Sequence, residues 1–214
     1  MQPPRLFTYF RSGSSHRVRI ALALKDISYE AVPIHLLRDG GEHRRPDYLA
    51  LNPQGRLPCM VLEDGDVLIQ SPAILEYLEE VVPTPPLLPA DPVLRAKVRS
   101  VAALIGCDIH PLNNVAVLTA LRADLGVSDA AVGAWIGRWI SQGLAAVEAL
   151  IGDHGYCFGW EPGMADVYLL PQLFSARRFG VPLDALPKVR RVEALAKDHP
   201  AFAAASPERQ PDAA

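Results

Sequence analysis

YFRSGSSHRVRIALAL, residues Tyr9–Leu24, passes from a short apolar segment through a turn crowded with serine, glycine and cations into a helix-forming run. A helix start favours anions, because its first N–H groups lack intrahelical partners and the peptide dipoles leave partial positive charge there. Two readings of the turn stand side by side. Ser14 or Ser15 caps the helix, or the turn stabilises a reactive thiolate. Upstream, LFTYF (Leu6–Phe10) reads as a short buried strand. The helix runs from about Ser15 to Lys25, and YEAVPI (Tyr29–Ile34) is a second strand that Pro33 restricts to an edge or a strand end.

Working outward, CMVLE-DG-DVLIQ (Cys59–Gln70) is a hairpin with Asp64-Gly65 at positive φ in a tight turn. SPAILEYLEE follows as a helix with Ser71 as N-cap and Pro72 in its first turn. Five prolines between Pro83 and Pro92 forbid helix or central strand, so this stretch is an interdomain linker. Beyond it the period is helical throughout. The apolar stripes are Leu94–Val98–Val101–Ile105, then Val132–Ile136–Trp139 or Ile140–Leu144–Val147–Ile151. Val167, Leu170 and Leu173 or Phe174 form a third, kinked at Pro171, and Val189, Val192 and Leu195 or Ala196 a fourth after Pro187. SPERQPDAA is a polar, loosely ordered tail. The expected architecture is a small α/β domain over residues 4–84, a linker over 85–92 and an all-helical domain over 93–214.

Bulk composition narrows the function classes. Charge is nearly balanced, with 21 Lys+Arg against 24 Asp+Glu, so no broad attraction to nucleic acid is expected. No uninterrupted apolar run reaches membrane-spanning length, and MQPPRLFTYF has neither the cationic start nor the apolar core of a secretory signal. Cys59, Cys107 and Cys157 have no paired or metal-like spacing, which points to a reducing cytoplasm. No two histidines stand at i, i+3 or i, i+4, so no helical metal pair is expected.

Strand, turn and helix at the start have the layout of a thioredoxin-like redox site. A thiol oxidoreductase places a cysteine at that helix start; here Ser12, Ser14 and Ser15 stand instead. The turn therefore suits a thiol brought by a cofactor. Leu57-Pro58, just ahead of a strand, is either an ordinary trans proline or a cis bond that turns the Leu57 backbone towards an extended peptide. Ser71 either caps its helix or binds a carboxylate there.

Taken in order, these segments resemble the glutathione transferases, in particular the zeta class of maleylacetoacetate and maleylpyruvate isomerases. FRSGSSHRVRIALALK resembles the class's serine-rich helix start, ALNPQGRLPCM its cis-proline segment, and QSPAILEYLEE with the proline linker its cofactor helix. DIHPLNN, MADVYLLPQ, SARRFGV and RQPD extend the likeness over nearly the whole chain. The resemblance implies glutathione as cofactor, with its γ-glutamyl carboxylate at Ser71 beside Gln70. Its cysteinyl unit would pair with Leu57, held by cis Pro58, with Gln54 contributing from the preceding loop. Its sulfur would face Ser14, in the position the class usually gives to Cys or Thr, with Ser12 nearby. His110 and Asn114 would border the cofactor, although His110 equally suits a hydrogen-bonded residue at a Pro111 kink. Arg11 and then Arg178 are the expected carboxylate clamps for a substrate with two anionic ends. Arg177 is divided between clamp and solvated helix end, while Arg17 and Arg19 are read as structural ion-pair residues.

The implied reaction is cis–trans isomerisation of maleylacetoacetate in aromatic amino-acid breakdown, by reversible thiolate addition. Maleylpyruvate isomerisation, transfer to α-halo acids and a non-catalytic glutathione-fold binding role are the alternatives. A small-molecule maleyl diketo acid and a second copy in a homodimer are the expected partners. Two departures stand out: Val115-Ala116 where related isomerases often carry arginine, and Gly163 where a hydroxyl-bearing helix cap is usual.

Overall fold

A computed structural model describes residues 3–213. The chain divides into two compact units, one built from the residues up to Leu87 together with those from His199 onward, the other from Leu88–Asp198. The expected helical domain ran on through 214. Residues 199–213 instead belong to the first unit, because α9 (Pro200–Ala205) packs along α1 (Gly13–Leu24); Ala214 lies outside the described residues.

In the first unit, β1 (Arg5–Thr8) leads through α1 to β2 (Glu30–Pro33), parallel to it. After α2 (Pro46–Leu51) come β3 (Cys59–Val61) and β4 (Val67–Ile69), both antiparallel to their neighbours, giving the order β2-β1-β3-β4. Pro33 lies in the edge strand β2, where its missing N–H breaks no ladder. Alternation along the strands sorts the side chains. Phe7, Cys59 and Val61 join Tyr48 of α2 on one face. Leu6 and Met60 point the other way and are fully buried, as are Ile20, Leu22, Ile74 and Leu75 of the mutually packed α1 and α3 (Ser71–Val81). The β3–β4 turn is looser than expected. Gly65 alone takes positive φ, at 94°, and Asp64 serves through its carboxylate, accepting from Asp66 N at 3.1 Å. Leu57-Pro58 and Thr84-Pro85 are cis.

The tail is ordered rather than loose. Pro207 and Gln210 are buried, and the Gln210 amide donates to the carbonyls of Ala204 and Ser206 at 3.2 and 2.9 Å. Polar composition concealed this, because its partners are backbone carbonyls that no local pattern displays.

The second unit is helical: α4 (Pro92–Ala103), α5 (Val115–Ala123), α6 (Asp129–Leu150), α7 (Met164–Arg178) and α8 (Pro187–Asp198). The helical path from Pro92 to Ala123 contains a window apolar enough, by composition alone, to cross a membrane, which the reading of uninterrupted runs passed over. It is broken at its middle. Leu104–Ile109 widens to π-helical geometry and His110–Asn113 tightens to a 3-10 turn where Pro111 can donate no hydrogen bond. Along α6 the buried stripe is Val132, Ile136, Ile140, Leu144 and Val147, so Ile140 rather than Trp139 takes the open position. Ala196, not the exposed Leu195, completes the stripe of α8. Gly163 is the N-cap of α7, and its N–H donates to Asp166 Oδ2 at 2.9 Å, while Asp166 Oδ1 accepts from Cys157 N at 2.9 Å.

Gly143 on α6 faces the fully buried Ile109, and a Cβ there would overlap Cγ1 and Cδ1 of that side chain. Ala adds roughly 1 kcal/mol of helix propensity over Gly, but overpacking a closed core costs roughly 1–3 kcal/mol. Gly143→Ala is therefore expected to destabilise. Gly137→Ala, where a Cβ meets nothing within 4 Å, should stabilise. Denaturant midpoints of the two variants check this, and equal signs would refute the packing argument.

Candidate glutathione site

The serine turn is built from the backbone outward. Ser12 N donates to Tyr9 O at 2.9 Å, and Ser12 adopts extended geometry (φ −72°, ψ 112°) as the true N-cap of α1. Its Oγ accepts from Ser15 N at 3.2 Å, and its carbonyl accepts from His16 N at 2.8 Å. Neither Ser14 nor Ser15 is the cap. Ser15 is fully buried, with no hydrogen-bond partner for its hydroxyl among the described residues. Ser14 is half-buried in the first turn, where the helix dipole is positive. His16 is buried, and desolvation, reinforced by the Arg19 charge, holds its pKa well below the ordinary histidine range.

Arg11 stands beside this turn. Its Nη2 donates to Tyr9 Oη at 2.9 Å, and its guanidinium lies 4.9 Å from the Phe10 ring centroid and 5.8 Å from that of Tyr9. The aromatic platform orients a cation without neutralising it.

The start of α3 has different chemistry. Ser71 is its first helical residue and Gln70 the N-cap, without a side-chain cap hydrogen bond. Gln70 holds φ at 69°, an uncommon conformation for a residue with a Cβ and a local source of strain. Its amide donates to Gln54 Oε1, bringing two of the expected cofactor residues together. Gln54 is itself placed by a bond from its N–H to Asn52 Oδ1, whose amide group donates to Arg56 O. Leu57 is half-buried and Pro58 buried in the same loop.

Of the two arginines of α1, Arg19 departs from its expected role. Arg19 is 1% exposed and donates to Thr8 Oγ1 and to the carbonyls of Tyr9, Phe10 and Ala205, at 3.0–3.3 Å. It clamps backbone instead of pairing with a carboxylate. Arg17, 3% exposed, brings Nη1 to 3.5 Å from Ser71 Oγ, long for a hydrogen bond but close enough to put a buried cation behind the uncapped helix start. Sequence reasoning missed the backbone clamp of Arg19 and the approach of Arg17 to Ser71. The available signal was that α1 buries every residue from Ser15 to Leu22, so an arginine among them must meet fixed polar partners.

In the second unit, His110 is half-buried at the junction of the π-helical and 3-10 segments. Asn114 is the N-cap of α5, its Oδ1 accepting from Ala116 N at 3.0 Å, which commits that oxygen to the helix. Arg178 is exposed at the end of α7, its guanidinium 5.1 Å from the Phe179 ring centroid. Arg177 grips Glu193 through Nε and Nη2 at 3.1 and 2.6 Å, so it joins α7 to α8. Val115 is exposed at the start of α5.

No cysteine occupies either helix start. Burial raises the Cys59 thiol to about 11 and pushes Cys157 well above its ordinary range. Nor do the described residues contain a cluster of three or more His, Cys, Asp or Glu able to hold a metal ion.

Comparison with known proteins fits this geometry. Residues 11–81 match the family model for the glutathione S-transferase N-terminal domain. Maleylacetoacetate isomerase of Pseudomonas aeruginosa is 62% identical over 97% of this chain and 98% of its own length. Maleylpyruvate isomerase of Ralstonia sp. is 50% identical over 98% of this chain and 100% of its own. Among solved structures, a holo maleylpyruvate isomerase described as a bacterial zeta-class glutathione transferase superposes with a TM-score of 0.94, at 49% identity, covering 98% of this chain and 100% of that one. A maleylacetoacetate isomerase of Anaeromyxobacter dehalogenans with glutathione bound in its active site gives 0.88 at 40% identity, over 99% and 98%. With a thioredoxin-like unit whose helix start carries serine in place of cysteine, and with relatives this similar along their full length, the chain belongs to the zeta-class glutathione transferases, the family of the maleylacetoacetate and maleylpyruvate isomerases.

Proposed function

We propose that the chain is a glutathione-dependent cis–trans isomerase that converts maleylacetoacetate to fumarylacetoacetate in aromatic amino-acid breakdown. The observation that carries the reading is the pairing, within one unit, of a serine-lined, cysteine-free start of α1 with an uncapped start of α3 backed by the Arg17 guanidinium. The first suits a thiolate and the second a carboxylate, and glutathione bears both groups. The extended segment around Leu57 and the Gln54–Gln70 pair, lying between those helix starts in sequence, suit its peptide backbone.

Bound glutathione supplies a thiolate that adds to the cis double bond and leaves after rotation about the resulting single bond. The residues of the chain do the rest. Ser71, with the α3 N–H groups and Gln70 beside it, holds the glutamyl carboxylate, and Gln54 meets the cysteinyl unit from the preceding loop. Ser14 donates its hydroxyl hydrogen to the sulfur, and the dipole of α1 favours the charged form. Arg11, steadied by Tyr9 and Phe10, takes a substrate carboxylate. Localisation in the cytoplasm agrees with three free cysteines, and the homodimer remains part of the proposal.

Maleylpyruvate is the second substrate, favoured by the 50% identical Ralstonia relative. The test is loss of the conjugated enol absorbance of maleylacetoacetate, with and without glutathione, in the presence of fumarylacetoacetate hydrolase. Glutathione-dependent loss is expected. No glutathione-dependent conversion of maleylacetoacetate or of maleylpyruvate would overturn the reading.

A further inference from the structure

Asp212, in the RQPD segment beyond α9, has no role in the reaction described above, yet it is tied to the serine turn. Its Oδ2 accepts the N–H of Phe10 at 2.9 Å, across 202 residues of sequence. Phe10 stands two residues before the Ser12 cap. Its carbonyl is also held, by Arg19 Nη2 at 3.1 Å, so both polar groups flanking this residue are fixed from outside the turn. Arg19 Nη1 adds Tyr9 O at 3.3 Å, the same carbonyl that receives Ser12 N. Its Nε reaches Ala205 O at the end of α9.

We infer that the Ser206–Asp212 segment is a strap that sets the serine turn, and that Asp212 is a positioning residue for the thiolate step. The inference rests on the isomerase reading above. The strap is itself anchored: Gln210 Nε2 donates to Ala204 O and Ser206 O, and Ala213 N donates to Gln210 O at 3.0 Å, closing a turn around Asp212. The Asp212 charge also acts on Arg19, partly offsetting the desolvation that lowers that guanidinium to about 10. Its second oxygen, Oδ1, is buried with no hydrogen-bond partner among the described residues. A carboxylate left half-satisfied against one backbone N–H is poorly explained by stability alone. It is explained if the direction of that N–H matters. Rotating the Phe10 peptide would re-aim Arg11 and Ser12, and small misplacements of a reacting group have large kinetic effects.

The test uses the full chain with Asp212→Ala and Asp212→Asn. Asn keeps an acceptor for Phe10 N and removes the charge. Asp212→Ala is expected to lower kcat at neutral pH roughly tenfold to a hundredfold and to raise the pH at which bound glutathione shows thiolate absorbance. Binding of S-methylglutathione, which has no thiol and is held at Ser71, should stay within about twofold. Asp212→Asn should restore most of the rate. Wild-type kcat and an unmoved thiolate profile in Asp212→Ala would overturn the strap, as would parallel loss of S-methylglutathione binding and of rate in both variants. A wild-type protein inactive on both maleyl substrates would instead overturn the isomerase reading on which the strap rests.

Discussion

Glu79→Ala is expected to destabilise the protein by about 3–5 kcal/mol, the usual result of removing one partner from a buried ion pair. Lys25 and Glu79 meet at 2.8 Å with side chains 0% and 6% exposed. The ammonium also donates to Val82 O at 2.6 Å and Pro85 O at 3.0 Å, so all three of its protons are placed. Both Glu79 oxygens accept from Leu87 N, at 3.1 and 2.9 Å. One pair thus ties the end of α1 to the end of α3 and to the chain that leaves it. Truncating Glu79 strands a buried cation and an amide, neither of which water can reach easily. For a chain of this size the loss corresponds to a melting temperature roughly 10 °C lower. Lys25→Met should cost a comparable amount. The double variant should resemble either single one and not their sum, because the second substitution removes the charge that the first left unpaired. Additive losses, or a Glu79→Ala effect below about 1 kcal/mol, would show that the pair is incidental.

The same region marks where sequence patterns were informative and where they were not. Strand, helix and hairpin were legible because their apolar periods differ and because Pro33 and the Asp64-Gly65 pair punctuate them. Residues tied to distant backbone left no such trace. Three serines in four positions all qualify as a cap by residue type, and only the backbone angles of Ser12 single it out. Ser71 looked like a cap for the same reason, whereas the chain places a strained Gln70 there and leaves the helix start without a side-chain cap. Arg19 and Asp212 find their partners across nearly the whole sequence, on carbonyls and an N–H that carry no residue-specific signature. Short elements were missed as well. α5 is only nine residues long, and its cap, Asn114, is by family likeness a residue of the site.

Ser14→Ala is expected to lower kcat about a hundredfold, the scale of losing one preorganised donor to a developing or resident anion. The division of labour within the turn makes this prediction specific. Ser12 Oγ accepts from Ser15 N, so Ser12→Ala removes a helix cap and should cost about 1 kcal/mol of stability. Ser14→Ala leaves that cap in place, and its effect should fall on the thiolate, moving the rise of activity to higher pH because the charged sulfur has lost a hydrogen-bond donor. Melting curves and pH–rate profiles of the two variants separate the roles. If Ser12→Ala shifts the pH profile and Ser14→Ala does not, the sulfur faces Ser12, whose hydroxyl hydrogen remains available while its oxygen serves the cap. If both variants keep full activity, the hydroxyls do not hold the thiolate at all. The backbone N–H groups and dipole of α1 would then have to act alone, and the absence of a cysteine from this turn would matter more than the presence of its serines.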